Sequence, residues 1–327
     1  MKAGHKLGAL LLGLGVMFTG TGTNAQDYPT KPVKLIVGFA PGGTVDVVAR
    51  IIGESLSSKL GKPFIVENRT GANGMIAATA VAQSDPDGYT IFVSNSSTIT
   101  LNPTLFKDLK YNPARDFAPI TTAVSVPLIL AIDPNNPKTP GIKSLSDFIA
   151  LAKQKPENVL YGSAGNGNIT HLAFELLSQK AGVKMLHVPY RGAAAAQTAL
   201  LSNEVMVVFD TMSAVQQVQA GKFRALAVSS TERLAALPDV PTVAELGYPG
   251  FDVTFWVGFF VPKATPAAIV DLLNKEIVTA AKDPAVRARL EPQGTVMTLS
   301  RAAFSAKIEK ETKELAEVVA KSNITAE

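Results

Sequence analysis

Three short stretches and a few single residues of this 327-residue chain collect the groups that hold or transform small molecules. "FAPGGT" at 39–44 lies between strand-forming residues and an amphipathic segment. Pro41 pre-sets one turn dihedral, and Gly42 and Gly43 permit positive φ and close backbone approach. Bare N–H groups at a helix N-terminus sit at the positive end of the dipole and suit a carboxylate or phosphate. Phe39, Ala40 and Thr44 complete that loop. The other reading is an ordinary β–α turn capped by Gly43 or Thr44.

"YGSAGNGNITH" at 161–171 sets Ser163, Ala164, Gly165 and Asn166 between another strand and another helix. Its GxxGxG spacing is not the dinucleotide fingerprint, and Ser163 directly after Gly162 is not a nucleophile elbow. A GxxxxGK[ST] phosphate loop is absent. Paired with the first stretch, this one suggests two anion-holding loops facing each other across a cleft. "VSNSST" at 93–98 ends a strand in hydroxyls, and Ser96 and Ser97 could donate to a ligand or merely cap the next segment. Arg191 follows "HVPY" at a strand end, where a guanidinium could meet a carboxylate bidentately or form a surface ion pair. Asp210 ends "VVFD" and could bind an amine or hydroxyl, or brace a loop.

Catalysis would need a nucleophile with a base beside it. Of three histidines, His5 lies in the N-terminal leader, leaving His171 and His187. Neither has partners at metal-ligand spacing, so no metal is expected. His187 falls within an expected buried strand and reads as structural. His171, in the first turn of a helix, could face the cleft or serve the core. Ser163 or Ser96 with His171 would make an exported α/β hydrolase or transferase, the alternative to a binding role. With several donor-rich loops and no evident nucleophile–base pair, binding is favoured and no cofactor is expected.

The elements that must position these groups alternate. The strand "KLIVGF" leads into a helix with Val45, Val48, Ala49, Ile52 and Leu56 on one face, ended by Gly61. "PFIVEN", a helix within "GANGMIAATAVAQS" and the strand in "DPDGYTIFVSN" continue the β-α-β-α-β order, which predicts a parallel sheet with helices on both faces. The middle repeats the pattern, and two long helices close the chain. "FDVTFWVGFFVP" around Trp256 reads as a buried strand. Strand-rich segments near 126–133 and 222–230 could carry the chain between two domains and back. That gives one discontinuous domain, 26–125 with 226–327, and a second, 126–225.

Hydrophobic residues make up 46% and charged residues 18%, a globular composition. "MKAGHK", the apolar "LGALLLGLGVMF" and the small-residue "TGTGTNA" read as a secretory signal over residues 1–25, cut after Ala25. Its apolar run is too short for a span, which needs about 20 residues. Net charge is +4 over the whole chain; Lys2 and Lys6 leave with the leader, so the mature chain carries +2 and no footprint for nucleic acid. The absence of cysteine excludes disulfides, thiolate metal sites and a lipoprotein anchor, and suits a periplasmic protein stabilised by its core.

Ten strings fall in a recognisable order: "FAPGGTVDVVAR", "VENRTGANG", "DPDGYT", "LNPTLF", "RDFAPI", "GSAGNGNITHLAFELL", "HVPYRGAAAA", "GKFRALAVSS", "LPDVPTVAELGYPG" and "FWVGFFVPKATP". Over essentially the whole mature chain they resemble the Bug-type solute receptors, the extracytoplasmic binding components of bacterial tripartite tricarboxylate transporters. The resemblance implies a type II periplasmic-binding-protein-like α/β fold, two α/β domains around a cleft joined by two crossover strands. It implies a small carboxylate held by backbone groups and ordered water at Phe39–Thr44, opposed by Ser163–Gly167 and residues beyond. It also implies integral-membrane permease subunits as partners, with no membrane insertion of the mature chain. Two positions depart from the usual pattern: Val45 stands where a second hydroxyl is common, and Asn73 where a glycine is. Dicarboxylates, tricarboxylates, aromatic carboxylates and acidic amino acids are candidate ligands, although the near-neutral charge weighs against a strongly tricarboxylate-specific site. A sensor handing its ligand state to a signalling protein is a third reading.

Overall fold

The computed structural model describes residues 28–322, with Met1; the expected leader and its cut after Ala25 fall outside them. In chain order the first part runs β1 (Val33–Val37), α1 (Thr44–Leu60), β2 (Phe64–Asn68), α2 (Met75–Ala82), β3 (Thr90–Asn95), α3 (Asn102–Leu105), α4 (Pro113–Asp116) and β4 (Phe117–Pro127). The middle runs β5 (Ile129–Ile132), α5 (Leu145–Gln154), β6 (Leu160–Ser163), α6 (Ile169–Ala181), β7 (Leu186–Pro189), α7 (Ala193–Leu201), β8 (Val207–Asp210), α8 (Ala214–Gln219) and β9 (Arg224–Val228). The last part runs β10 (Thr254–Pro262), α9 (Ala267–Lys282), α10 (Pro284–Leu290), β11 (Thr295–Val296) and α11 (Arg301–Ser322).

Two sheets result, ordered β11-β4-β10-β3-β1-β2 and β7-β6-β8-β5-β9. In the first, β1 is parallel to β2 and β3, but β10 lies antiparallel between β3 and β4. In the second, β6 is parallel to β7 and β8, whereas β5 is antiparallel to β8 and β9. The expected all-parallel sheets are therefore mixed. The strands that carry the chain between sheets enter against the βαβ direction, which the alternation of elements does not reveal.

Both faces of the first sheet are covered, which is why its strands read as unbroken apolar runs. Leu35 and Val37 join the core shared with α1 and α9, while Ile36 faces the other way, into a cluster with Phe92, Trp256, Phe260 and Phe304. Trp256 and Phe304 meet edge-on at 4.9 Å, and Trp256 Nε1 donates to Glu311 at 2.7 Å, so the buried indole keeps a partner.

Leu128 alone separates β4 of the first sheet from β5 of the second. Its N–H donates to Ser229 Oγ at 2.7 Å, and Ser229 N–H returns a bond to Leu128 O at 2.9 Å. Ser229 also donates to Val253 O at 2.5 Å and accepts the Val253 N–H at 3.0 Å, so outgoing and returning segments are stitched at one buried serine. The strand near 222–230 is not itself the return crossing. β9 pairs with β5 inside the second sheet, and the chain rejoins the first sheet only at β10. Residues 229–253 connect β9 of the second sheet to β10 of the first.

Candidate functional site

Between the two sheets lies a cleft of about 590 Å3, counting its open mouth. From the first half come Phe39, Ala40, Pro41, Gly43, Thr44 and Val45 of the β1–α1 loop, Asn95 at the end of β3 and Phe255 of β10. From the second come Ala164, Asn168–Thr170 at the start of α6, Arg191–Ala194 at the start of α7 and Thr211 after β8.

The β1–α1 loop has the character of an anion seat. Gly42 takes the positive φ (+80°), and Gly43 is the N-cap of α1 at φ −76°, ψ 164°, with no side-chain cap. The first helical amides, Thr44 and Val45, therefore meet no acceptor among the described residues. Thr44 lines the cleft but is only 6% exposed, and its hydroxyl is buried with no hydrogen-bond partner among the described residues. Burying a hydroxyl without a partner is costly, and here it stands beside two helix-start amides that also lack one among the described residues.

The acidic residue of that first turn does not occupy the seat. Asp46 turns back, accepting from Gly42 N–H (2.9 Å), from Arg50 through both carboxylate oxygens (2.9 Å each) and from Asn68 Nδ2 (2.8 Å). Burial pushes its pKa up, but the Arg50, Gly42 and Asn68 hydrogen bonds outweigh this and hold it below the usual carboxylate range. Gly42 opens instead onto a separate groove beside Met212 and Ser213.

The second glycine loop is not a matching seat. Ala164 N–H is spent on Thr170 Oγ1 (2.9 Å), Gly165 N–H on Ser163 Oγ (3.1 Å) and Gly167 N–H on His171 Nδ1 (3.3 Å). At the start of α6, Asn168 caps Thr170 N–H at 3.1 Å, and Ile169 N–H reaches Ser97 Oγ at 3.0 Å. Of the expected residues there, only Ala164 lines the cleft; Ser163, Gly165, Asn166 and His171 do not.

Opposite α1, the bare helix start is that of α7. Its N-cap is Gly192 (φ 109°), without a side-chain cap, so the amides of Ala193 and Ala194, which line the cleft, meet no acceptor among the described residues. Arg191 stands beside them at the rim, and no ion pair or hydrogen bond among the described residues reaches its guanidinium. A glycine before an alanine run, with no Ser, Thr, Asp or Asn to cap it, is the sequence signal for this second bare terminus.

Other expected residues lie elsewhere. Ser97 bridges to Ile169, and Ser96, whose buried hydroxyl is also unpartnered, opens onto a different groove with Asp252 and Lys307. Asp210 is 2% exposed and outside the cleft lining. Burial pushes its carboxyl up to about 7, against weaker pulls from Thr211 N–H, Gln197 and Ser213. Asn95, Asn168, Thr170, Thr211 and Phe255 were missed: all lie at element ends or in a strand read as core.

The serine–histidine alternative meets a clear geometry. His171 makes no hydrogen bond to a serine; its Nδ1 accepts from Gly167 and its Nε2 lies 3.7 Å from Glu175. Ser163 pairs instead with His187, on the half-exposed edge strand β7, at 2.6 Å.

The chain matches the model of the family described as Tripartite tricarboxylate transporter family receptor over residues 48–323. The chain belongs to this receptor family. It is 35% identical over 297 residues to BugT of Bordetella pertussis, covering 89% of this chain and 90% of that one. Among solved structures it is similar to R. palustris Rpa4515 with adipate (31% identity, TM-score 0.87, 91% of this chain and 99% of the other). It is also similar to MatC (Rpa3494) from Rhodopseudomonas palustris with bound malate (33%, TM-score 0.82, 89% and 100%). A tripartite tricarboxylate transporter receptor binds a solute rather than transforming it, and the two-domain α/β fold around a cleft is that of these neighbours. Among the described residues no helix is long and apolar enough to cross a membrane.

Proposed function

We propose that this receptor captures a small dicarboxylate between its two lobes in the periplasm and delivers it to integral-membrane permease subunits. The observation that carries the reading is the bare N-terminus of α1: Thr44 and Val45 line one wall of the cleft, and among the described residues neither their amides nor the buried Thr44 hydroxyl has a partner. One carboxylate is seated there. The other meets the Ala193 and Ala194 amides and Arg191 on the opposite wall, so that a single ligand bridges both lobes. Phe39, Val45, Ile169 and Phe255 supply an apolar middle that suits a carbon chain or ring. Adipate and malate, bound by the two structural neighbours, both carry two carboxylates. We expect the leader to be cut after Ala25, so N-terminal sequencing of the exported chain should begin at Gln26.

A thermal-shift panel on chain stripped of ligand by unfolding and refolding tests the reading. Dicarboxylates of graded length are compared with monocarboxylates of equal length and with neutral diesters. A ligand at 100 times its dissociation constant adds about 2.7 kcal/mol, several degrees for a protein of this size. We expect one dicarboxylate length to stabilise most, with Arg191→Gln reducing its advantage over the monocarboxylate about tenfold. Stabilisation by the diesters alone would overturn the carboxylate reading.

A further inference from the structure

One hydrogen-bond network joins the two lobes, and its first-lobe members, Asn73 and Ser97, do not line the cleft. Asn73, in the loop between β2 and α2, holds a left-handed backbone (φ 47°, ψ 41°). It is fixed from behind. Thr98 Oγ1 and Asn102 Nδ2 donate to its carbonyl at 3.0 and 3.2 Å. Asn102 is in turn held by Tyr111, whose hydroxyl donates to Thr98 O at 2.6 Å. Gly74 leaves room for this arrangement, since a Cβ there would fall 2.4 Å from Thr98 Oγ1.

The Asn73 side chain then reaches the second lobe. Its Nδ2 donates to Gly167 O at 2.9 Å as well as to Asn102 Oδ1 at 2.7 Å, and its Oδ1 accepts from Asn168 Nδ2 at 2.9 Å. Gly167 O can only accept, which fixes the orientation of the amide. Ser97, from the same lobe as Asn73, accepts the Ile169 N–H at 3.0 Å. Asn168 and Ile169 line the cleft, whereas Asn73 and Ser97 do not.

We propose that Asn73 and Ser97 are positioning residues that clasp the start of α6 to the first lobe, populate the closed arrangement before ligand arrives and thereby raise the affinity of the cleft. A receptor whose binding-competent form is fractionally populated loses affinity by that fraction, so pre-closing tightens binding by the factor it restores. The three cross-lobe bonds join residues 72 to 95 positions apart, so they form only when the lobes meet. The clasp does not depend on which solute is bound, and its failure would leave the ligand reading untouched.

The test uses unliganded, refolded protein. Asn73→Gly keeps the left-handed backbone, which glycine adopts freely, and removes two cross-lobe bonds. Ser97→Ala removes the third. Hydrogen–deuterium exchange over residues 165–172 should quicken about tenfold in Asn73→Gly and by a smaller factor in Ser97→Ala. Small-angle scattering should show an increased radius of gyration in both variants. A role confined to the 71–75 turn would alter exchange there and leave α6 and the radius as in the parent. That pattern overturns the proposal. Should Asn73→Gly not fold, Ser97→Ala decides alone: parental exchange at Ile169 with a parental radius of gyration overturns it.

Discussion

Ser163 Oγ lies 2.6 Å from His187 Nε2, and the serine is wholly buried. The distance is that of a nucleophile and its base, but the surroundings are those of a brace. Ser163 is outside the cleft lining, and its hydroxyl is also tied to Gly165 through both the carbonyl and the N–H at 3.1 Å. The His187 ring stacks on His171 with centroids 3.9 Å apart. Burial first, and His171 second, hold the His187 pKa down to about 3, too weak a base to take a serine proton at neutral pH. The pair ties the end of β6 to β7 and keeps the glycine loop in shape.

Acid should therefore loosen the fold. Burial also lowers His171, against the opposing pull of Glu175, so the fold favours the neutral form of both imidazoles, whereas unfolded histidine titrates near 6.5. Between pH 6.5 and about 3 the unfolded chain holds more protons, and stability falls as pH falls through that window. We expect a loss of about 2 kcal/mol from His187 between pH 7 and pH 4, discounted for its partial exposure. Urea unfolding at the two pH values measures it, and His187→Gln should shrink the loss.

Asp210 acts in the opposite sense. Its folded pKa, pushed up to about 7, stands above the unfolded value of 3.8, so the fold favours the protonated acid and stability is lost as pH rises through 7. Asp210→Asn removes this dependence. Relative to the parent, the variant should gain roughly 2–4 kcal/mol between pH 4 and pH 8 in the same unfolding experiment. An equal effect at both pH values would contradict the buried, protonated acid.

Gly43→Val separates binding from folding. Gly43 has φ −76°, open to any residue, and a Cβ there meets only Ala40 O at 3.5 Å. The side chain would project into the anion seat it lines. Ligand-induced stabilisation should disappear while the unliganded melting temperature falls by only a few degrees, since replacing a glycine N-cap by valine costs about 1 kcal/mol.

What could be read from sequence was mostly local. The face of Val45, Val48, Ala49, Ile52 and Leu56 and the stop at Gly61 placed α1, and with it the glycine N-cap that leaves its amides bare. The start of α5 is equally local, with Ser144 as its N-cap and Asp147 completing a capping box. What could not be read depends on contacts between distant residues. The glycine loop looked like a second anion seat because its glycines are visible, while the acceptors that fill its amides, Thr170 and His171, reveal their role only after α6 folds back. Phe255 looked like core because it is core, at 3% exposure, yet it also walls the cleft. Asn73 meets Asn168 across 95 positions, a pairing no local pattern encodes.

The central claim is that bare backbone amides at the start of α1 hold a ligand carboxylate. Amide NMR of the mature chain, titrated with the dicarboxylate that stabilises it most, tests this directly. The Thr44 and Val45 amide protons should move downfield together and saturate with the binding curve. Full occupancy with both resonances unmoved, and the largest changes at Gly165 and Gly167 instead, would contradict the account.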